Sequence, residues 1–306
     1  MRGVNILGAA MLATAISATA MSETGGLVSA ALGADATWPK EITFALLSTE
    51  NAAEITRRWT PILAQLEKDL GIKVRSTAAT DYRGTIEALK FKKAEMAHLG
   101  PKSYVEASTG NYANVEPIAQ LQLANGSLGY RSCLIVHAES DIFSPEDLAG
   151  RTFAFNDPNS TSGYLVPSAF FLMEMGVDPK KHFSKLTFSG SHEASILAVA
   201  NKKVEAASTN LGDLQQLTRE GKVPRGGLRV VWVSKLIPND PIVVRKDLPP
   251  SLRSAIQESL TTMRARNPEV FKEAGATIGG FVPADDGKYQ VIRDLNETAK
   301  RLAAQK

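Results

Sequence analysis

A disulfide framework is excluded from the start. Cys133 is the only cysteine among 306 residues, so it has no partner within the chain. The fold must therefore rest on its own apolar core, which a chain of this length can supply. Cys133 stands in the apolar stretch Ser132-Cys-Leu-Ile-Val136 and reads as a buried structural thiol. A dominant charge is lacking too: 35 basic and 32 acidic residues leave a formal net charge of +3. The basic residues are not clustered, which argues against a nucleic-acid surface. No G-x-x-x-x-G-K-[ST] loop or dinucleotide fingerprint occurs, so nucleotide binding is unsupported. The histidines His98, His137, His182 and His192 have no ligand spacing with one another or with Cys133. No metal and no cofactor is expected.

Past the first residues, no apolar run is long enough to cross a membrane. The start is different. Arg2 precedes the short apolar run Val4 to Ile16, and small-residue sites follow at Ala18-Thr-Ala20 and Ala34-Asp-Ala36. That order describes a secretory signal within residues 1–36, with cleavage after Ala20 or Ala36. The run is short for a membrane anchor, and no cysteine follows it to carry a lipid. Loss of residues 1–36 would remove Arg2, Glu23 and Asp35 and leave a net charge of about +4.

What is present is a rhythm of strands and helices. Glu41 to Leu47 reads as a buried strand. Ala53 to Leu70 is a helix with Ile55, Trp59, Leu63, Leu66 and Leu70 near one face and Gly71 as its stop. The alternation continues through strands at 72–76, 96–99, 115–123, 133–137, 152–155, 185–188, 204–208 and 228–234, with helices between. The pattern predicts an α/β protein with parallel sheets. Two such blocks are separated by the polar segment Ala124 to Gly129, and a second polar crossing lies at Ile237-Pro-Asn-Asp-Pro241. Two lobes joined by two crossings, with a ligand cleft between them, is the expected architecture. Residues 37–127 would begin the first lobe, 128–238 would form the second, and 239–306 would return to pack helices on the first.

The most distinctive string is Asn156-Asp-Pro-Asn-Ser-Thr-Ser-Gly-Tyr-Leu-Val-Pro167. Three hydroxyls, Ser160, Thr161 and Ser162, stand where a strand gives way to a helix. They can cap that helix. They can also hold an oxyanion, because helix-start N–H groups have no internal partner and carry partial positive charge. Gly163 would let a ligand approach the backbone. The string alone leaves both readings open.

That string resembles the signature of the phosphonate/phosphite-binding proteins of ABC transporters. Other segments are similar in order: Thr80-Asp-Tyr82 with Ile86-Glu-Ala88, Leu99 to Val105, Gly190-Ser-His-Glu-Ala194, Ile237 to Pro241, and Gly280 to Ala284 with Tyr289. The resemblance spans about Glu41 to Leu295. It implies a type II periplasmic binding fold in which a small phosphorus oxyanion sits between the lobes. It further implies that Ser160, Thr161 and Ser162 hold the anion and that His192 donates to another oxygen. Asp240 would face the ligand from the hinge side, and Tyr82 would close the cleft from the first lobe. Tyr130 matches a family tyrosine at the first crossing. The implied partner is a permease in the inner membrane, the location is the periplasm, and the protein is expected to act as a monomer. A sensor role toward a membrane kinase, or another oxyanion such as phosphate, is the alternative.

A carboxylate beside an anion is repulsive, so Asp240 points to a ligand that brings a proton or an amine. Aminophosphonate members carry a further acidic residue after the strand matching 204–208. Here that segment is Thr209-Asn-Leu-Gly-Asp213, with Asp213 shifted toward the following helix. This departure tilts the expectation toward phosphite or methylphosphonate. Ser160, His192 and Asp240 also invite a Ser-His-Asp hydrolase reading, but the serine lies in no G-x-S-x-G elbow, so no catalytic residue is assigned. His98 and His137 read as packing or edge residues, and Tyr104 and Tyr164 as packing.

Overall fold

The computed structural model of the chain describes residues 35–275 and 277–305. Apart from Asp35 and Ala36, the segment expected to be a secretory signal lies outside these residues. Two sheets organise the described chain. The six-stranded sheet runs Gly280–Pro283, Val115–Gln122, Pro241–Arg245, Met96–His98, Glu41–Leu46, Lys73–Ala78. The five-stranded sheet runs Leu228–Val233, Ser132–His137, Ala206–Asn210, Thr152–Phe155, Lys185–Phe188.

The sheets are mixed rather than parallel, which corrects the expectation from the alternating pattern. Glu41–Leu46 pairs parallel with both neighbours, and Thr152–Phe155 does likewise. Pro241–Arg245 and Ser132–His137 run antiparallel to theirs. These two strands are the ones entered directly from the crossings. A chain arriving from the other sheet enters at the cleft end and must run back against its neighbours, unlike a strand fed by a helix. The crossings themselves are zipped together: Gly129–Tyr130 pairs antiparallel with Ile237–Pro238. At Gly129 a side chain has no room, since a Cβ would lie 2.7 Å from the Ile237 carbonyl oxygen.

Both faces of the six-stranded sheet are covered. Ile42, Phe44 and Leu46 meet Ile62 and Leu66 of helix Ala52–Leu70 and Ile256 and Leu260 of helix Pro250–Arg266. Ala45, Ala97 and Val243 face the opposite layer, with Ile86, Val105 and Ile292. Ile292 belongs to the C-terminal helix Gln290–Ala304, whose cluster also takes in Leu165 from beyond the strand Thr152–Phe155. The five-stranded sheet is likewise sandwiched, with Phe153 and Phe171 on one side and Ile196 and Leu217 on the other. Among the described residues no helix is long and apolar enough to cross a membrane.

Candidate ligand-binding site

Strands whose carboxyl ends meet the gap between the sheets lead straight into helices, so helix starts converge there. Asp81 caps the helix that begins with Tyr82, its carboxylate accepting from Gly84 N at 2.7 Å. Ser191 caps the helix that begins with His192, accepting from Ala194 N at 3.1 Å. Asn210 caps Leu211–Arg219. The first two caps place Tyr82 and His192 at the cavity, and Asn210 lines it directly.

The hydroxyl triplet opens a helix of unusual winding. Thr161–Leu165, Val166–Ala169 and Phe170–Glu174 follow one another without a break. In its first and last turns the hydrogen bonds span five residues, as in Leu165 N to Ser160 O at 3.1 Å and Met175 N to Phe170 O at 3.1 Å. Such wide turns recur at functional sites. Pro167 has no N–H to give back up the helix. The carbonyls so released find other donors: Gly163 O accepts from Ser208 Oγ at 2.6 Å and from Asn156 N at 2.9 Å, and Ser162 O accepts from Ser132 Oγ at 2.6 Å. Gly163 serves this packing rather than ligand approach, because a Cβ there would lie 2.2 Å from Asn156 Cβ.

The three hydroxyls divide their work. Ser160 Oγ accepts from Gly163 N at 3.0 Å and caps the helix. Thr161 Oγ1 accepts from Lys102 N at 2.8 Å, reaching the start of helix Pro101–Ser108. Ser162 Oγ is buried with no protein partner. All three retain an O–H to donate.

These groups line one cavity of about 900 Å³, its open mouth included, between the two sheets. Tyr82, Tyr130, Ser160, Thr161, Ser162, His192 and Asp240 all line it. Tyr130 lines the same wall as Thr161 and Ser162 without a hydrogen bond to Ser162 Oγ. Burial holds the phenols of Tyr82 and Tyr130 well above the ordinary tyrosine range, so both remain O–H donors. Burial also pushes His192 down to about 4. Its Nδ1 lies 3.1 Å from Thr209 Oγ1, which leaves Nε2 of a neutral ring for the cavity.

The opposite character gathers in the same space. Asp240 lines the cavity with its Oδ2 2.8 Å from His98 Nε2. Asp213 lines it too, held by Asn210 Nδ2 at 2.7 Å, and its Oδ2 is 3.9 Å from His192 Nδ1. The sequence reading had moved Asp213 into the following helix and out of account. It does occupy the first turn, but Asn210 turns its carboxylate back to the cleft. Burial, with Asp240 nearby, raises Asp213 to about 6. Glu50, on the loop after the first strand, is raised to about 7, chiefly by burial.

Sequence reasoning missed Glu50, Arg58, Trp59 and His98 as cavity residues. Trp59 and His98 had been read as packing, which they also do, with ring centroids 5.2 Å apart. One signal was available: Arg58 adjoins Trp59 in a helix, at a position that is buried on the inner face. Four buried polar atoms of cavity-lining residues, Trp59 Nε1, His98 Nδ1, Ser162 Oγ and Asn239 Nδ2, have no protein partner. Buried polar groups of this kind call for a polar ligand or water. Among the described residues, no group of His, Cys, Asp and Glu could hold a metal ion. Tyr104 packs on Tyr289, and Tyr164 on Phe155, as expected of packing residues.

Residues 44–289 match the family described as "ABC transporter, phosphonate, periplasmic substrate-binding protein". The chain belongs to that family. Its members bind solutes for transporters and are not enzymes, so the Ser-His-Asp reading is set aside. The phosphonates-binding periplasmic protein of Escherichia coli K12 is 39% identical over 223 residues, which are 72% of this chain and 65% of that protein. The alignment thus spans just under two thirds of the E. coli relative. The phosphate-import protein PhnD of Mycolicibacterium smegmatis is 31% identical over 281 residues, 84% of this chain and 85% of that one. The crystal structure of a binding protein component of an ABC phosphonate transporter from Pseudomonas aeruginosa superposes with a TM-score of 0.79 at 34% identity. It covers 86% of this chain and 87% of its own. The two-lobed type II periplasmic binding fold follows.

Proposed function

We propose that the protein captures a small phosphonate bearing an amine, an aminoalkylphosphonate, by closing its lobes, and delivers it to a permease in the inner membrane. The observation that carries this reading is that one cavity holds both neutral donors and carboxylates. Neutral donors, namely the hydroxyls of Ser160, Thr161, Ser162, Tyr82 and Tyr130 with His192, suit the three oxygens of the phosphonate at a helix start. The carboxylates Glu50, Asp213 and Asp240 suit an ammonium group. Phosphite and methylphosphonate bring only a P–OH proton to those carboxylates, whereas an ammonium group brings an opposite charge. The carboxylates thus favour an amine-bearing phosphonate over phosphite or methylphosphonate, toward which the sequence tilts.

In this reading the first lobe comprises residues 37–127 with 239–306, and the second 128–238. The zipped crossings act as the hinge. The protein works in the periplasm as a monomer, exported by the segment 1–36. Titration calorimetry with 2-aminoethylphosphonate and methylphosphonate tests the reading. The amine ligand should bind at least tenfold tighter, and equal or inverted affinities would refute the amine assignment.

A further inference from the structure

The lobes are joined across the cleft by a chain of charged groups that the cavity contacts do not require. Arg58, on the helix after the first strand, has a side chain only 4% exposed. Its Nε donates to Glu50 Oε1 at 2.7 Å within its own lobe. Its other arm donates to Glu220 of the second lobe. Glu220 pairs further with Lys222, Nζ to Oε2 at 3.4 Å, and Lys222 Nζ reaches Glu193 Oε1 at 2.8 Å. Glu193 then returns to the first lobe, accepting from Asn51 N at 2.9 Å and Asn51 Nδ2 at 3.1 Å. The short loop Thr49 to Asn51 is thus gripped at both ends by the other lobe, with Glu50 between.

We propose that Arg58 is a positioning residue: by tying Glu50 to Glu220 across the cleft, it holds the Glu50 carboxylate against the ligand cavity, so that lobe closure assembles the acidic end of the site. The proposal rests on the amine reading above for its ligand preference, and on geometry alone for closure. The charges support it. Glu50, Glu193 and Glu220 stand against Arg58 and Lys222, so one carboxylate more than the chain can neutralise remains. Of the three carboxylates, Glu50 and Glu193 reach the cavity, and Glu193 is already held by Lys222 and Asn51. Glu50, which Arg58 holds through Oε1 alone, has its second oxygen left for a ligand cation. A pair such as Arg58–Glu220 joins groups from different lobes and is lost when the hinge opens. Opening exchanges this contact for water, and the proposal is that the hydrogen-bonded Arg58–Glu220 pair favours the closed form. Without Arg58, Glu50 would be a buried carboxyl with no cation beside it. It is already raised to about 7 with Arg58 in place, so it would turn neutral and stop attracting an ammonium group.

The test uses the full chain as wild type, Arg58→Gln, Arg58→Lys and Glu220→Gln, with 2-aminoethylphosphonate and methylphosphonate as probes. Affinity comes from calorimetry and dissociation rate from stopped flow. Arg58→Gln should cut the preference for the amine ligand about tenfold, and Arg58→Lys should recover part of it. Glu220→Gln should speed dissociation of both ligands by a common factor of about three to ten. A merely structural Arg58 would weaken both ligands equally, and that result overturns the proposal. So does an unchanged dissociation rate in Glu220→Gln, which decides the matter if Arg58→Gln does not fold. If wild type binds neither phosphonate, the functional reading fails separately. The clasp is then judged by small-angle scattering of ligand-free protein: Glu220→Gln must give a larger radius of gyration, and an unchanged one overturns it.

Discussion

Nε2 of His98 lies 2.8 Å from Oδ2 of Asp240, which stands in the crossing just before the strand Pro241–Arg245 that pairs antiparallel with the strand of His98. His98 is itself braced by the ring of Trp59. A carboxylate held this firmly at a cavity wall is placed to accept from a ligand. Asp240→Asn should weaken 2-aminoethylphosphonate roughly 10- to 100-fold, about 1.4–2.7 kcal/mol, and methylphosphonate much less. Calorimetry with both ligands checks this, and an unchanged ligand preference would remove Asp240 from the amine end.

The hydroxyls are expected to separate in their effects. Ser162 Oγ has no protein partner. Ser162→Ala should therefore leave the urea midpoint near wild type yet cost about 1.5–3 kcal/mol of binding, the range for a hydrogen bond to a charged group. Ser160 caps its helix, so Ser160→Ala should lower stability by about 1 kcal/mol as well. Equal stability losses in both variants would contradict this division.

Gly163→Ala tests the packing behind the triplet. The added methyl would lie 2.2 Å from Asn156 Cβ, and the wide first turn must shift to relieve it. Overpacking of this kind costs about 1–3 kcal/mol, and the hydroxyls move with the turn. Both the urea midpoint and phosphonate affinity should fall. A variant with wild-type affinity would show that the turn is not needed for the site.

Two buried groups give opposite pH dependences to the ligand-free protein. Glu50 is raised to about 7. Its contribution to stability is fully present below its unfolded pKa and is lost as pH rises through about 7. His192 is lowered to about 4, so its contribution is present above its unfolded pKa and lost as pH falls through about 4. Glu50→Gln should therefore gain stability relative to wild type between pH 5 and pH 8, read as the difference in urea midpoints. A constant difference across that range would contradict the assignment.

Much of this was legible in the chain itself. Period and punctuation located strands such as Thr152–Phe155 and helices such as Leu211–Arg219, because those signals are local. The string at Ser160 to Ser162 alone left a helix cap and an anion cradle both open, and only its resemblance to the family pointed to an anion. Strand direction was not legible, since it depends on which lobe the chain arrives from. Arg58 and Glu220 stand 162 residues apart, and no spacing rule joins them. Asp213 stands in the following helix as expected, but its place at the cavity was not legible because it depends on the Asn210 side chain holding its carboxylate. The acidic end of the cavity is thus a product of tertiary structure, whereas the hydroxyl end is written in one short stretch.

The central claim is that one cavity reads both ends of an aminoalkylphosphonate. A calorimetric panel of 2-aminoethylphosphonate, methylphosphonate, phosphite, phosphate and sulfate on the purified protein tests it most directly. The account predicts tightest binding of 2-aminoethylphosphonate, weaker binding of methylphosphonate and phosphite, and weakest of sulfate, which carries no proton or amine for the carboxylates. Binding of none of the phosphorus oxyanions, or sulfate binding as well as 2-aminoethylphosphonate, would contradict it.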